Sequence, residues 1–255
     1  MKILLNILTT AFIFGSLMFA SACHKTNTNA STPKGILYLH VHTDIDTNEV
    51  DSAVVAKDSS GRHFQLDIAQ FYISGIILTK SDGTSYAINN AYILKNIAQE
   101  QYLVDSIPTG NYTTITFSVG VDASRNSMNP SSFASTSALS PQTPSMWFGS
   151  TSQGYIFMNL QGYADTTAAQ NGPVNQPFSY QLGTSALLRT VTMPIHSPVF
   201  TATPNSSMFI HIIADYGKVL RGINFKTQNT ATPFTNIGVT TQIANNIPTM
   251  FRYEE

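Results

Sequence analysis

The chain has 255 residues, a net charge of −1 and 11% charged side chains, against roughly 25% in ordinary soluble proteins. The balanced charge excludes the basic surface of a nucleic-acid-binding protein and leaves no field that would recruit an anionic partner. Because the chain has one cysteine, it cannot form an internal disulfide.

The first 22 residues have the pattern of a secretory signal peptide. Lys2 precedes a largely apolar run over residues 3–19, and small residues at 20–22 lead to Cys23. This resembles the lipobox of bacterial lipoproteins, in which the thiol is lipidated, although a lone cysteine in an exported protein can also be a free thiol. We predict a lipid anchor on Cys23 that holds the protein to the outer membrane of a bacterial envelope, in either leaflet.

Residues 23–34 are polar and poor in apolar side chains, which predicts a flexible tether. The remaining residues, 35–255, are enough for one domain. Residues 35–42 begin it with strict alternation, so that apolar residues share one face of a strand and His40 and His42 lie on the other.

Short apolar runs with strand character recur along the rest of the chain, separated by turn signals. They cover residues 53–57, 62–68, 71–79, 84–88, 111–121, 155–160, 178–182, 186–193 and 208–216. The pattern predicts an all-β domain, a single antiparallel β-sandwich of immunoglobulin-like or jelly-roll-like type with long loops. Residues 241–247 favour one short helix near the end of the chain, which Pro248 is expected to stop.

Residues 122–153 form the longest stretch without a strand pattern. Trp147, the only tryptophan, lies near its end and adjoins the strand predicted over 155–160. A loop of this length in a compact domain is usually either functional or disordered. Trp147 is therefore a candidate for ligand binding or, since large aromatic side chains are mostly buried bulk, a cap on the core.

Enzyme motifs are absent from the sequence. It contains no G-x-S-x-G elbow, no phosphate-binding loop, no H-E-x-x-H and no C-x-x-C. The acidic residues are few, and most fall in predicted turns. We predict a protein without catalytic activity.

Histidines supply the best candidate site. His40 and His42 project from one face of a strand about 7 Å apart along the chain, a spacing that lets both imidazoles reach one metal ion. His211 lies on the strand predicted over 208–216, and Met146, beside Trp147, would add a thioether. Thioether and imidazole together suit copper. The alternative is that these histidines are ordinary surface or hydrogen-bonded residues.

Several segments resemble the MbnP-like family of exported β-sandwich proteins and follow in the same order. They are residues 70–76, 117–122, 146–147, 154–157 and 178–183. In that family, as the resemblance implies, a partner di-haem enzyme can oxidise a loop tryptophan to kynurenine, with copper bound nearby. Trp147 is the residue of this chain that such an enzyme would oxidise, which would give an arylamine nitrogen able to ligate the metal.

The sequence and the resemblance together predict a lipid-anchored, non-enzymatic envelope protein that binds copper. His40, His42 and His211 are the expected ligands, Trp147 and Met146 are expected near them, and a di-haem peroxidase-like protein is the candidate partner. The alternative is a structural or adhesin-like lipoprotein without a metal, whose long loop binds a protein or a glycan.

Overall fold

The computed structural model describes residues 32–45, 48–49, 54–58, 60–195 and 199–254. The predicted signal peptide, Cys23 and the predicted tether up to residue 31 lie outside this part of the chain. Within it, no helix has the length and apolar character needed to cross a membrane.

The described residues form fifteen strands, three helices and two single-turn 3-10 helices at Pro130–Ser132 and Ser185–Leu187. The strands are β1 (Lys34–Ile45), β2 (Asn48–Glu49), β3 (Val55–Lys57), β4 (His63–Lys80), β5 (Ser85–Ala87), β6 (Tyr92–Lys95), β7 (Gln101–Pro108), β8 (Gly110–Val119), β9 (Ile156–Ala164), β10 (Gln176–Gly183), β11 (Arg189–Pro194), β12 (Phe200–Ala202), β13 (Ser207–Asp215), β14 (Thr230–Ala231) and β15 (Phe251–Tyr253). The helices are α1 (Ala123–Asn126), α2 (Tyr216–Val219) and α3 (Ile237–Met250).

Two sheets form a β-sandwich, which confirms the predicted architecture. The small sheet runs β15-β13-β1, with β7 and β2 both paired to β1. The large sheet runs β11-β8-β4-β9-β10-β14, and β3, β5 and β6 add to β4 while β12 adds to β8. Most pairs are antiparallel, as expected, but β1 with β13 and β10 with β14 are parallel. A parallel pair needs a long crossover, and here the chain between β1 and β13 supplies it.

The core lies between the two sheets and contains side chains from both. In β1 the predicted alternation holds: Leu37, Leu39 and Val41 are fully buried, whereas the side chains of His40 and His42 belong to the partly exposed face. The outer face of the small sheet is therefore where the histidines lie.

Helix α3 is longer than predicted, because Pro248 lies inside it instead of ending it. The expected stop was wrong for a simple reason. Proline removes one backbone N–H donor and therefore one helical hydrogen bond. Losing that bond in the last turn costs less free energy than the burial of Ile247 and Met250, on either side of Pro248, contributes.

The long loop over residues 122–153 is ordered by its own contacts. Asp122 caps α1, accepting hydrogen bonds from the backbone of Ser124 and Arg125. Further along, Leu139 and Met146 are buried in a second apolar cluster that also contains Tyr72 of β4. The loop is thus attached to the large sheet.

Candidate metal centre

Three histidines and one glutamate meet on the outer face of the small sheet. His40 of β1 and His211 of β13 are register partners on neighbouring strands, and His42 follows two residues along β1. Glu254 comes directly after β15, and its backbone N–H donates to the carbonyl of His211 at 3.3 Å. We call His40, His42, His211 and Glu254 the histidine cluster.

One atom of each residue in the cluster points to a common centre. His40 Nδ1 lies 3.0 Å from His211 Nδ1 and 3.2 Å from His42 Nε2. Glu254 Oε2 lies 3.1 Å from His42 Nε2 and 3.2 Å from His211 Nδ1. The four atoms therefore form a closed ring of neighbouring nitrogen and oxygen donors.

These separations fit a single metal ion. With metal–ligand bonds of about 2.0–2.1 Å, neighbouring ligand atoms lie about 2.9 Å apart in a square plane and about 3.4 Å apart in a tetrahedron. All four measured distances, 3.0, 3.2, 3.1 and 3.2 Å, fall inside that interval.

Charge and exposure also favour a cation at this place. Glu254 contributes a negative charge, and Glu100 and Glu49 lie beside the two histidines of β1. The side chains of His40 and His42 are each 15% exposed, while that of His211 is 46% exposed. The cluster is thus partly sheltered and still open to solvent on the His211 side, where an ion could enter.

The glutamates were missed by sequence reasoning. Glu254 is the first residue after a short strand, and Glu100 precedes β7 at the end of a turn. Neither position belongs to a ligand motif of regular spacing. The one signal in the sequence is that carboxylates are scarce, with 14 in the chain, so a glutamate near the end of a strand is unusual here.

Trp147 and Met146 pack in the second apolar cluster, with Tyr155 and Tyr72. The indole ring of Trp147 meets the ring of Tyr155 edge-on at 5.0 Å, and Tyr155 meets Tyr72 in the same way at 5.7 Å. Met146 is buried beside them. Together they line a cavity of about 160 Å³, and no hydrogen bond or ring contact among the described residues joins Trp147 to the histidine cluster.

The tyrosines of this cavity are held as neutral phenols. Burial raises the pKa of Tyr155 to about 12, and burial with the neighbouring Tyr155 raises the pKa of Tyr72 further. The hydroxyl of Tyr155 donates to the Leu139 carbonyl at 2.6 Å, and that of Tyr72 donates to the Ala138 carbonyl at 3.1 Å. These bonds fasten the long loop to the large sheet and place Trp147 beside the cavity.

Comparison with known proteins gives a family and one similar structure. A family model described as MbnP matches residues 34–237, a range that includes the three histidines and ends before Glu254. The solved structure of MbnP from Methylosinus trichosporium is 14% identical, with 73% of this chain and 77% of that chain covered and a TM-score of 0.49. No curated protein sequence gives a significant match.

Proposed function

The chain belongs to the MbnP family, and from that premise we propose that it is a non-enzymatic copper-binding protein whose metal site is the histidine cluster. The observation that carries the proposal is the convergence of four donor atoms, from His40, His42, His211 and Glu254, at neighbour distances of 3.0–3.2 Å.

The donor set favours the divalent ion. Imidazole nitrogen and carboxylate oxygen suit Cu(II), and among first-row divalent ions Cu(II) binds such ligands most tightly, ahead of Zn(II). Thioethers would favour Cu(I), but Met146, the methionine predicted as a soft ligand, is buried in the Trp147 cavity. We therefore infer a cupric site.

The experiment is metal titration of the mature protein, purified in detergent and stripped of metal. We expect one Cu(II) per chain, with nitrogen hyperfine structure from imidazoles in the electron paramagnetic resonance spectrum. The double variant His40→Ala/His42→Ala should lose this site, because half of its donor atoms are removed. His63→Ala is the matched control, since His63 begins β4 of the large sheet. Retained binding in the double variant, or no binding by the natural protein, would contradict the proposal.

The lipid anchor and the compartment form a further part of the proposal. They rest on Cys23 and the residues before it, so the supporting observation is the sequence pattern alone. Cys23→Ser should release the protein from the membrane fraction and remove the acyl mass from the first peptide of the mature chain. A Cys23→Ser variant that stays in the membrane fraction would contradict the proposed anchor and would leave the proposed metal site unaffected.

Oxidation of Trp147 by a di-haem peroxidase-like partner is proposed as a separate event. The family supports it, and the partly exposed position of Trp147 beside a cavity gives an oxidant access to the indole. Since the histidine cluster supplies four donors of its own, copper binding there does not require the modified side chain. Mass analysis of the Trp147 peptide after co-expression with such a partner tests this step alone.

A second candidate function is binding of a neutral polar ligand, such as a glycan, by the long loop. A cleft of about 430 Å³ lies between this loop and strands β6 and β7. It is lined by uncharged amides and hydroxyls, including Gln70, Asn96, Gln99 and Gln142. This alternative becomes the leading one if the titration finds no copper.

A further inference from the structure

One carboxylate contacts both histidines of β1 on the side away from the proposed metal. Glu100 Oε2 lies 3.2 Å from His40 Nε2, and Glu100 Oε1 lies 3.6 Å from His42 Nδ1. These are the nitrogens that do not point into the histidine cluster. Each oxygen of a single side chain therefore faces a different imidazole.

The two histidines need opposite tautomers to bind one metal. His40 presents Nδ1 to the centre, so its proton must be on Nε2, whereas His42 presents Nε2, so its proton must be on Nδ1. A carboxylate that accepts from the outer N–H of a ligand histidine fixes both the tautomer and the ring orientation. Glu100 Oε2, 3.2 Å from His40 Nε2, is placed to do this for His40. Glu100 Oε1, 3.6 Å from His42 Nδ1, lies within ion-pair range of the second ring but beyond hydrogen-bond distance.

We propose that Glu100 is the positioning residue of the histidine cluster, which it organises by accepting the outer proton of His40 and by placing its charge beside the outer nitrogen of His42, and that Lys95 holds the turn carrying Glu100. The inference rests on the proposed metal site and adds the residues that prepare it.

The turn before β7 is built around the ammonium group of Lys95. Its Nζ donates to the carbonyls of Asn96 and Gln99, at 2.5 and 2.9 Å, and to the hydroxyl of Thr43 at 3.0 Å. Thr43 follows His42 in β1, so the ammonium ties the turn directly to the strand that carries the histidines.

A second bond fixes Glu100 along β1. Its carbonyl accepts from the backbone N–H of Val41 at 2.8 Å, and Val41 lies between the two histidines. With Lys95 fully buried and all three of its ammonium hydrogens directed at acceptors, the backbone of Glu100 has little freedom. Its side chain therefore lies beside both His40 and His42.

Glu49 provides the closer outer contact to His42. Its Oε1 lies 3.4 Å from His42 Nδ1, against 3.6 Å for Glu100 Oε1. The side chain of Glu49 is 67% exposed and that of Glu100 is 40% exposed, and ordering an exposed side chain costs conformational entropy. We therefore assign the main positioning role, which acts through His40, to Glu100.

The decisive measurement is the tautomer state of the metal-free protein, read from long-range proton–nitrogen correlations of the imidazole rings. We expect His40 with its proton on Nε2 and His42 with its proton on Nδ1. In Glu100→Gln the charge is lost and the amide offers one acceptor and one donor group, so His40 loses its carboxylate acceptor and should become a mixture of tautomers. Unchanged tautomers in Glu100→Gln, or the opposite tautomers in the natural protein, would overturn the proposal.

Copper affinity provides the second readout. Glu100→Gln should weaken Cu(II) binding by about 10–100-fold, the usual effect of losing an outer partner of a ligand, while keeping one ion per chain. Asp105→Asn is the matched control: it removes the same charge from β7, where Asp105 is exposed and accepts from its neighbour Ser106. Equal affinity in Glu100→Gln and Asp105→Asn would argue against a specific role for Glu100.

Two further outcomes keep this inference separate from the proposed function. If the natural protein binds no copper, the proposed function fails, but the tautomer measurement still decides the role of Glu100. If it binds two ions, with the second held by His42 Nδ1, Glu49 and Glu100, that nitrogen cannot carry a proton and the positioning role is refuted. Lys95→Met should also lower the affinity for Cu(II). An unchanged affinity in a folded Lys95→Met variant would refute the role of Lys95 in holding the turn.

Discussion

Lys95 couples the stability of the domain to pH. Burial lowers the pKa of this lysine from 10.5 to about 8, although the charge of Glu100 acts in the opposite direction. Below pH 8 the group is protonated in both the folded and the unfolded chain, so its cost to folding is constant. Between pH 8 and 10.5 the unfolded chain binds more protons than the folded one, and the stability contributed by this site rises with pH.

This effect predicts a pH-dependent difference between the natural protein and Lys95→Met. Over the interval from pH 8 to 10.5 the natural protein should gain up to about 3 kcal/mol of unfolding free energy relative to the variant. Urea unfolding at several pH values measures both proteins, and the comparison cancels the titration of the tyrosines. A difference that stays constant with pH would show that the pKa of Lys95 is not depressed.

At the residue scale, the sequence predicted the histidines but not their carboxylates. His40 and His42 follow from alternation within one strand, and His211 lies in a run with the same character. Their approach to Glu254 depends on the register of β1 with β13 and on the pairing of β13 with β15. Such register is set by long-range packing, which local periodicity does not encode.

Strands β4 and β9 meet so closely at one point that only glycine fits. A Cβ at Gly162 would lie 1.9 Å from the backbone carbonyl oxygen of Gln65, opposite an irregularity in β4 between Leu66 and Ile68. The three nearest atoms all belong to the backbone of Gln65 and Leu66, so no flexible side chain can move aside.

Gly162→Ala should therefore destabilise the domain by about 3 kcal/mol, as overpacking in a rigid place does. Gly238→Ala is the matched change in α3, where an added Cβ meets nothing within 4 Å, and it should stabilise by about 0.5–1 kcal/mol. Thermal unfolding of both variants is the measurement. Equal shifts in melting temperature would contradict the close approach of β4 and β9.

Among the elements, the strands themselves were easier to predict than the strands with which they pair. The hairpin formed by β3 and β4 follows from a local turn, and the structure has it. The parallel pairing of β1 with β13 could not be predicted, since both strands have the same alternation whatever the direction of the partner. The predicted end of α3 was wrong because the burial of Ile247 and Met250 in the core outweighs the local effect of Pro248.

At the scale of the molecule, the histidine cluster and the Trp147 cavity are built from different residues, since no member of the cluster lines the cavity. The cluster lies on the small sheet, whereas Trp147 packs through Tyr155 onto Tyr72 of the large sheet. The expectation that copper, histidines and Trp147 share one site came from the family resemblance, and the geometry supplies a complete donor set without the indole.

Trp147→Phe should therefore leave the copper stoichiometry at one ion and change the affinity by less than twofold, since it removes no donor atom of the cluster. Phenylalanine also keeps an aromatic ring against Tyr155. Calorimetric titration with Cu(II) measures the affinity, and the loss of tryptophan fluorescence verifies the replacement. A large drop in affinity would show that Trp147 belongs to the metal site.

The cluster draws its donors from the first strand described, β1, and from the residue after the last one, β15. The donors span residues 40–254, so the site exists only once that stretch of the chain has been made and has folded. A bound ion would connect β1 to the residue after β15 and would oppose the separation of these strands on unfolding. Metal loading therefore follows folding of the domain, so the ions present where the domain folds determine which metal the site meets.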